Sequence, residues 1–278
     1  MSAASVWVDD RLVAREDARI SVFDHGFTVA DGVFETLKVV RGRPFAVGRH
    51  LRRLHTSAAR LGLADPDLDR IRHAIDRTVE ANAGIMGELG RLRVTYTAGA
   101  GPLGSDRDNA PPTLVVAVSA MAPWPASAAV ITVPWPRNDR GALVGVKSTS
   151  YAENVVALAE ARRHGAAEAV MPDTRGRLCE GTGSNVLVVI DGRVCTPTLA
   201  TGALPGITRE LVLEWCDVDE VDIPLEVWAQ ADAAALTSST RDVQVIHRID
   251  ERDLPEPPPV LRGVRERFMQ ASAEAIDP

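Results

Sequence analysis

The sequence predicts an α+β protein of two domains, and three observations carry this. The first third reads as a meander of alternating strands followed by two amphipathic helices, which together with two later strands make one α+β unit. An uncharged run rich in Ala, Ser and Pro, SAMAPWPASAA at 119–129, then breaks the periodicity as a connection between domains does. A chain of 278 residues also stands near the size at which one core gives way to two. The division is placed at 122/123, giving an N-terminal α+β domain (1–122) and a C-terminal α/β domain (123–278).

The elements follow in order. VWVDDRLV, RISVF and GVFETLKVVRGRPFAV alternate apolar and polar residues and read as strands of an antiparallel meander. From Gly48 to Leu61, the residues Leu51, Leu54, Ala58 and Leu61 share one helical face. From Asp67 to Asn82, Leu68, Ile71, Ile75 and Val79 do the same. Strands RLRVTYT (91–97) and TLVVAVS (113–119) complete the first unit. Beyond the connection come strand AVITVPW, a helix from Ala152 to His164, strands EAVM and SNVLVVI with the turn DGR, and helix ITRELVLEW. Strands DEVDI, AALTSS and DVQVI follow, with a last helix after the proline run LPEPPPV. No repeat or low-complexity segment is present.

Composition excludes several classes. With 25% charged and 45% hydrophobic residues, 21 Gly and 18 Pro, the chain is neither collagen-like, mucin-like nor largely disordered. The net charge of -7, with neither sign in a long block, gives no nucleic-acid or membrane surface. Cys179, Cys195 and Cys216 are odd in number and form no CxxC pair, which argues for core residues rather than a disulfide framework. The six histidines show no metal-ligand spacing, so no metal site is expected. MSAASVWVDD lacks the regions of a signal peptide, and no apolar run reaches membrane-helix length, so a cytoplasmic protein is expected.

Of the 31 basic residues only Lys38 and Lys147 are lysine. Arginine can replace lysine as a surface charge, but its guanidinium stays protonated and forms no Schiff base. Each remaining lysine is therefore either a chance survivor or an amine kept for its chemistry. Lys147, in GVKSTSYAEN, follows a short apolar stretch and precedes a helix, where partial desolvation leaves some of the free amine that attacks an aldehyde. Lys38 alternates with Leu37 and Val39, which puts it on a solvated strand face.

Further motifs are ambiguous one by one. Gly99, Gly101 and Gly104 spell GxGxxG after a strand, but SDRDNAPP follows where a dinucleotide site needs a helix, so a glycine-rich loop is expected. Glu180 precedes a Gly-Thr-Gly turn that feeds an apolar strand, a place for a pocket-floor carboxylate or merely an exposed turn residue. In LPGITRELV, the amides of Ile207 and Thr208 open a helix, which is either a plain start or an anion site. TSST at 237–240 ends an apolar strand and offers hydroxyls, or simply turns. Amine, carboxylate, helix N-terminus and hydroxyl loop, in that order, are together what pyridoxal phosphate requires.

With these motifs the chain resembles the class IV aminotransferases, the fold-type IV pyridoxal-phosphate enzymes that include D-amino acid and branched-chain aminotransferases and 4-amino-4-deoxychorismate lyase. The resemblance runs from FDHGFTVADGVFETL through HLRRLHTSAARLGL, GVKSTSYAENVVALAEARRHGAAEAVM, CEGTGSNV and LPGITRELV to LTSSTRDV. It implies a two-domain, D-amino acid aminotransferase-like α+β fold, a homodimer, an amine substrate, and pyridoxal 5'-phosphate in a cleft between domains. It makes Lys147 the Schiff-base lysine, carried by the C-terminal domain, and Glu180 the partner of the pyridine nitrogen. Arg53, Ile207, Thr208, Ser238 and Ser239 would hold the phosphate, and Tyr151 would contact the phenolic oxygen. Phe34 and Arg107 would lie beside the substrate. The loop AGAGPLGSDRDN has glycines and only Arg107 where D-amino acid aminotransferases carry an arginine and a histidine. It looks more like the lyases, which release 4-aminobenzoate and pyruvate for folate synthesis. The expected activity is therefore aminodeoxychorismate lyase, with a D- or branched-chain amino acid transaminase as the alternative. A ligand-binding module of this fold would leave Lys147 and Glu180 together unexplained.

Overall fold

A computed structural model describes residues 4–278 of the chain. These group into two compact units. The first comprises the chain up to Pro123 with Val146–Ser150 and Ile276–Pro278, and the second Trp124–Gly145 with Tyr151–Ala275. The linear division placed Lys147 in the second domain, whereas its segment packs with the first. The reason is hydrogen bonding to a strand of the first unit, described below.

The first unit contains β1 (Ser5–Val8), β2 (Arg11–Ala14), α1 (His25–Thr28), β3 (Gly32–Val40), β4 (Arg43–Pro44), α2 (Val47–Leu61), α3 (Leu68–Ala81), α4 (Ala83–Met86), β5 (Leu89–Thr97) and β6 (Thr113–Ala120). Its strands form one antiparallel sheet in the order β2-β1-β6-β5-β3-β4. On β3 the inward residues Val33, Leu37 and Val39 meet Leu51, Leu54 and Ala58 of α2 and Ile71, Ala74 and Ile75 of α3, one core built from a period of two against a period of 3.6. Helix α2 ends where Gly62, at φ 69°, donates its N–H back to the carbonyls of Ala58 and Ala59. Helix α3 starts where the Asp67 side chain accepts from the Arg70 N–H.

Two expectations for this unit are corrected. RISVF forms no strand. Ile20, Val22 and Phe23 stay exposed, and the segment meets the loop after β5 at the isolated bridge Asp24–Ala100. Its β-branched residues have no neighbouring strand to pair with, so propensity alone does not make a strand. Lys38 is not solvated but only 8% exposed, with Nζ 5.6 Å from the centre of the Phe45 ring. Strand β3 is covered on both faces along most of its length, so alternation there does not separate core from solvent.

The second unit contains β7 (Ser127–Thr132), α5 (Ala152–Arg163), β8 (Glu168–Pro172), β9 (Leu178–Gly181), β10 (Asn185–Ile190), β11 (Arg193–Pro197), α6 (Ile207–Trp215), β12 (Val218–Val221), α7 (Leu225–Ala229), β13 (Ala234–Ser238), β14 (Asp242–Ile249), β15 (Arg252–Asp253) and α8 (Pro259–Glu274). Its mixed sheet runs β12-β11-β10-β13-β14-β7-β8-β9, with β15 on β14. Strand β7 shows why both faces are apolar. Ala128 and Val130 join a core with Val186, Val188, Leu236 and Trp228, while Ala129 and Ile131 point the other way, toward Ala157 and Ala161 of α5. Cys179 and Cys195 are buried and Cys216 half-buried, all as free thiols. No helix of the described residues is long and apolar enough to cross a membrane.

Candidate active site

Strand β4 pairs only with the end of β3, at Val39 and Val40, so the edge of β3 near Gly32 remains for another partner. The segment around Lys147 takes it. The Phe34 N–H donates to the Lys147 carbonyl at 3.0 Å, the Thr149 N–H to Gly32 at 2.8 Å, and Val33 and Ser148 form a bridge. From the other side the Lys147 N–H donates to Ser57 Oγ of α2 at 3.2 Å. The lysine backbone is thus held by a strand and a helix of the same core. Its Nζ stands 4.5 Å from the centre of the buried Phe34 ring, and the Arg93 guanidinium lies 3.7 Å from the same centre. Two cations on one aromatic ring make this face electropositive.

Helix α2 carries His50, Arg53 and Ser57 at spacings of three and four, hence on one stripe, and all three serve this region. Arg53 donates from Nε and Nη2 to the two oxygens of Glu35 at 2.8 and 2.7 Å. His50 Nδ1 lies 2.6 Å from Glu35 Oε2 and donates its proton there. Glu35 is 1% exposed. Burial alone would raise its carboxyl, but the charge of Arg53 and the hydrogen bonds from Arg53 and His50 outweigh that and hold it at about 2. Burial lowers the His50 imidazole, against the opposing pull of Glu35.

In the second unit Glu180 lies on β9, not in a turn, and is 4% exposed. Its Oε1 is 3.1 Å from Arg137 Nη2, and its Oε2 accepts the Leu204 N–H at 3.0 Å. Arg137 is fixed in turn by Asn154 Oδ1 at 3.0 Å, and Asn154 donates to the Thr182 carbonyl at 2.7 Å. The Leu204 carbonyl accepts from Asn185 Nδ2 at 2.9 Å. Leu204 is therefore clamped between Glu180 and Asn185, which fixes where Pro205, Gly206 and the first turn of α6 lie.

A β-carbon on Gly206 would sit 2.0 Å from Asn185 Oδ1, so a side chain there would force Asn185 to move. Gly206 caps α6 without a side-chain hydrogen bond, and the buried Ile207 and Thr208 open the helix. Ser238 Oγ accepts the Arg241 N–H at 3.2 Å, closing the turn that includes Ser239. Next to it Thr237 Oγ1 is buried with no hydrogen-bond partner among the described residues. Tyr151 caps the start of α5 and is half-buried.

Arg107 is committed elsewhere. It grips both oxygens of Asp31 at 2.6 and 2.5 Å and donates to the carbonyls of Leu61 and Gly62, stapling its loop to the end of α2. The loop glycines also have packing duties. A β-carbon on Gly99 would lie 2.1 Å from the Pro111 carbonyl, and one on Gly101 2.6 Å from His25 Nε2.

Sequence reasoning did not single out Glu35, Arg137, Asn185 or Arg93. For Glu35 the signal was present: a carboxylate in phase with Val33, Leu37 and Val39 on the inward face of a strand needs a buried cation. For Arg137, among prolines, there was none.

The donor set suits pyridoxal phosphate. A buried hydroxyl lacking a partner and an uncapped helix start are groups an anion satisfies, and Glu180 is a fixed acceptor for a ring N–H. The class IV amino-transferase family model matches residues 32–249, which is most of the chain. The chain belongs to the class IV aminotransferases. A candidate branched-chain-amino-acid aminotransferase of Methanocaldococcus jannaschii is 31% identical over 256 residues, covering 89% of this chain and 88% of that protein. A bifunctional aminodeoxychorismate lyase / D-amino acid transaminase of Mycobacterium tuberculosis is 30% identical, covering 82% and 85%. Among solved structures, a hypothetical aminotransferase from Mycobacterium tuberculosis in its PLP-bound form matches with a TM-score of 0.85 and 28% identity, over 96% of this chain and 98% of that one. Pyridoxal phosphate is the cofactor of class IV aminotransferases, and this member has their fold.

Proposed function

We propose that the chain is an aminotransferase that moves an amino group between a D- or branched-chain amino acid and a 2-oxo acid. The observation that carries this reading is that both chemical necessities are built in and buttressed: Lys147 held by β3 and α2, and Glu180 fixed by Arg137 and the Leu204 amide. Lys147 would hold the cofactor's aldehyde and, as a free amine, would take up the proton of the substrate's α-carbon. Glu180 would pair with the ring nitrogen and favour its protonated form. Arg53, Ile207, Thr208, Ser238 and Ser239 would bind the phosphate, and Tyr151 would meet the phenolic oxygen. The cofactor itself supplies an aldehyde for the amine and a ring that draws off the charge left at the α-carbon.

The lyase reading is the second one, supported by the bifunctional relative. Gly99 and Gly101 of the 98–109 loop pack against Pro111 and His25, and Arg107 binds Asp31, so these residues do not by themselves favour a lyase. The test is to supply purified protein with D-alanine or L-leucine plus 2-oxoglutarate, and separately with aminodeoxychorismate. Glutamate formation supports the transaminase. 4-Aminobenzoate without glutamate would replace it with the lyase.

The active form is inferred to be a homodimer. Ile20, Val22, Phe23, Phe27 and Val29 are all exposed within ten residues, an apolar patch a second copy would cover.

A further inference from the structure

We propose that Glu35 is a positioning residue for the cofactor's phosphate, acting through Arg53. The inference rests on the reading of Arg53 as a phosphate ligand and adds the group that aims it. An arginine on a helix has four rotatable side-chain bonds, and freezing it costs entropy at the moment it meets an anion. Here that ordering is done in advance. Glu35 accepts from Nε and Nη2 of Arg53 at 2.8 and 2.7 Å, so the planar guanidinium is locked in both direction and rotation.

The carboxylate is itself immobile. It sits on β3, is 1% exposed, and takes a third donor from His50 Nδ1 at 2.6 Å on the oxygen that also binds Arg53 Nη2. Three donors, two from Arg53 and one from His50, converge on two oxygens, and all come from one stripe of α2. Stability alone gives little reason for such a group, since a buried ion pair is often no more stabilising than apolar residues of the same volume. What it secures is geometry. The same strand also hydrogen-bonds the Lys147 backbone through Phe34, so one element sets the place of the aldehyde-binding amine and the heading of the phosphate-binding arginine.

Charge and orientation act in opposite senses. Removing the Glu35 charge would strengthen the attraction of Arg53 for an anion, while removing its second acceptor would let the guanidinium turn. In Glu35→Gln the amide NH2 faces the arginine donors and repels them, so orientation is lost. In Glu35→Asp the charge remains, but the carboxylate withdraws by one methylene and can no longer span both nitrogens.

The experiment compares the dissociation constants of pyridoxal 5'-phosphate and pyridoxal, read from cofactor absorbance on the full-length protein. Glu35→Gln and Glu35→Asp are each expected to weaken pyridoxal 5'-phosphate about tenfold or more and to leave pyridoxal unchanged. Arg53→Gln is expected to do the same, and the Glu35→Gln/Arg53→Gln double variant to lose no more than Arg53→Gln alone. If Arg53→Gln leaves the ratio of the two constants unchanged, the assignment of Arg53 to the phosphate fails. If Arg53→Gln raises the ratio of the pyridoxal 5'-phosphate constant to the pyridoxal constant while both Glu35 variants leave it unchanged or lower it, the positioning role of Glu35 is overturned. A Glu35 variant that weakens both compounds equally also overturns it, because a purely structural residue has no preference for the phosphate.

Discussion

Lys147 and Glu180 are single residues whose neighbours fix what each can do. On the proposed assignment, replacing Lys147 with Ala removes both the amine for the aldehyde and the base for the α-proton, while its backbone bonds to Phe34 and Ser57 remain. Turnover is expected to vanish with little change in folding. The checks are steady-state assay and circular dichroism, with borohydride trapping and peptide mapping of the wild type. A pyridoxyl tag on any other residue would refute the assignment. Glu180→Gln keeps shape but loses the charge, leaving Arg137 beside a neutral amide. A drop in kcat of roughly 10²-fold or more is expected, with a smaller loss of cofactor affinity. A kinetic isotope effect on the α-deuterated substrate should rise in this variant, since proton removal is the step being slowed.

Among elements, the turn into α6 is the most tightly determined. Leu204 gives its N–H to Glu180 and its carbonyl to Asn185, and Gly206 passes within contact of Asn185. Gly206 has φ -71° and ψ 135°, which any residue adopts, so a substitution there tests sterics alone. Gly206→Ala is expected to cost about 1–3 kcal/mol by denaturant unfolding and to weaken cofactor binding. Combining it with Asn185→Ala should cost less than the two single changes added together, because the clash is then absent. Additive losses would show that the close approach is not what requires glycine. Strand β3 and helix α2 work by the same logic, with the inward face of the strand shared between an apolar core and the Glu35 carboxylate.

For the molecule as a whole, acid stability follows from that buried group. The Glu35 carboxyl lies at about 2 when folded against an ordinary 4.5. A depressed acid contributes stability that is complete above its unfolded value and disappears as pH falls toward the folded one, here from about 4.5 to about 2, on the order of 3 kcal/mol in all. His50, whose imidazole is lowered by burial, adds loss in the same direction below its ordinary 6.5, since the unfolded chain takes up a proton more readily than the folded one. Urea midpoints of wild type and Glu35→Gln should therefore differ most near neutrality and converge near pH 2. A constant difference would refute the linkage. At the level of assembly, sedimentation velocity should give about twice the 29.8 kDa chain mass, and Phe23→Ser/Phe27→Ser should shift it toward one copy. A wild-type monomer at working concentration would refute the dimer.

Much of this was legible in the chain itself. Periodicity located α2 and α3 and most strands, because a face repeated every 3.6 or two residues has to be buried whatever covers it. The scarcity of lysine left only Lys38 and Lys147 to weigh as reactive amines, and the local sequence pointed to Lys147. Pattern could not say that RISVF would find no sheet, or that Lys38 would be enclosed, since both depend on what packs across from them. Nor could it say that Val146–Ser150 would leave its flanking sequence to join the edge of β3. Glu35 with Arg53 and His50, and Arg137 with Glu180, were decided only by tertiary structure. A charge alone in a strand has no assigned partner until folding brings one within about 3 Å, and only then does its direction acquire chemical meaning.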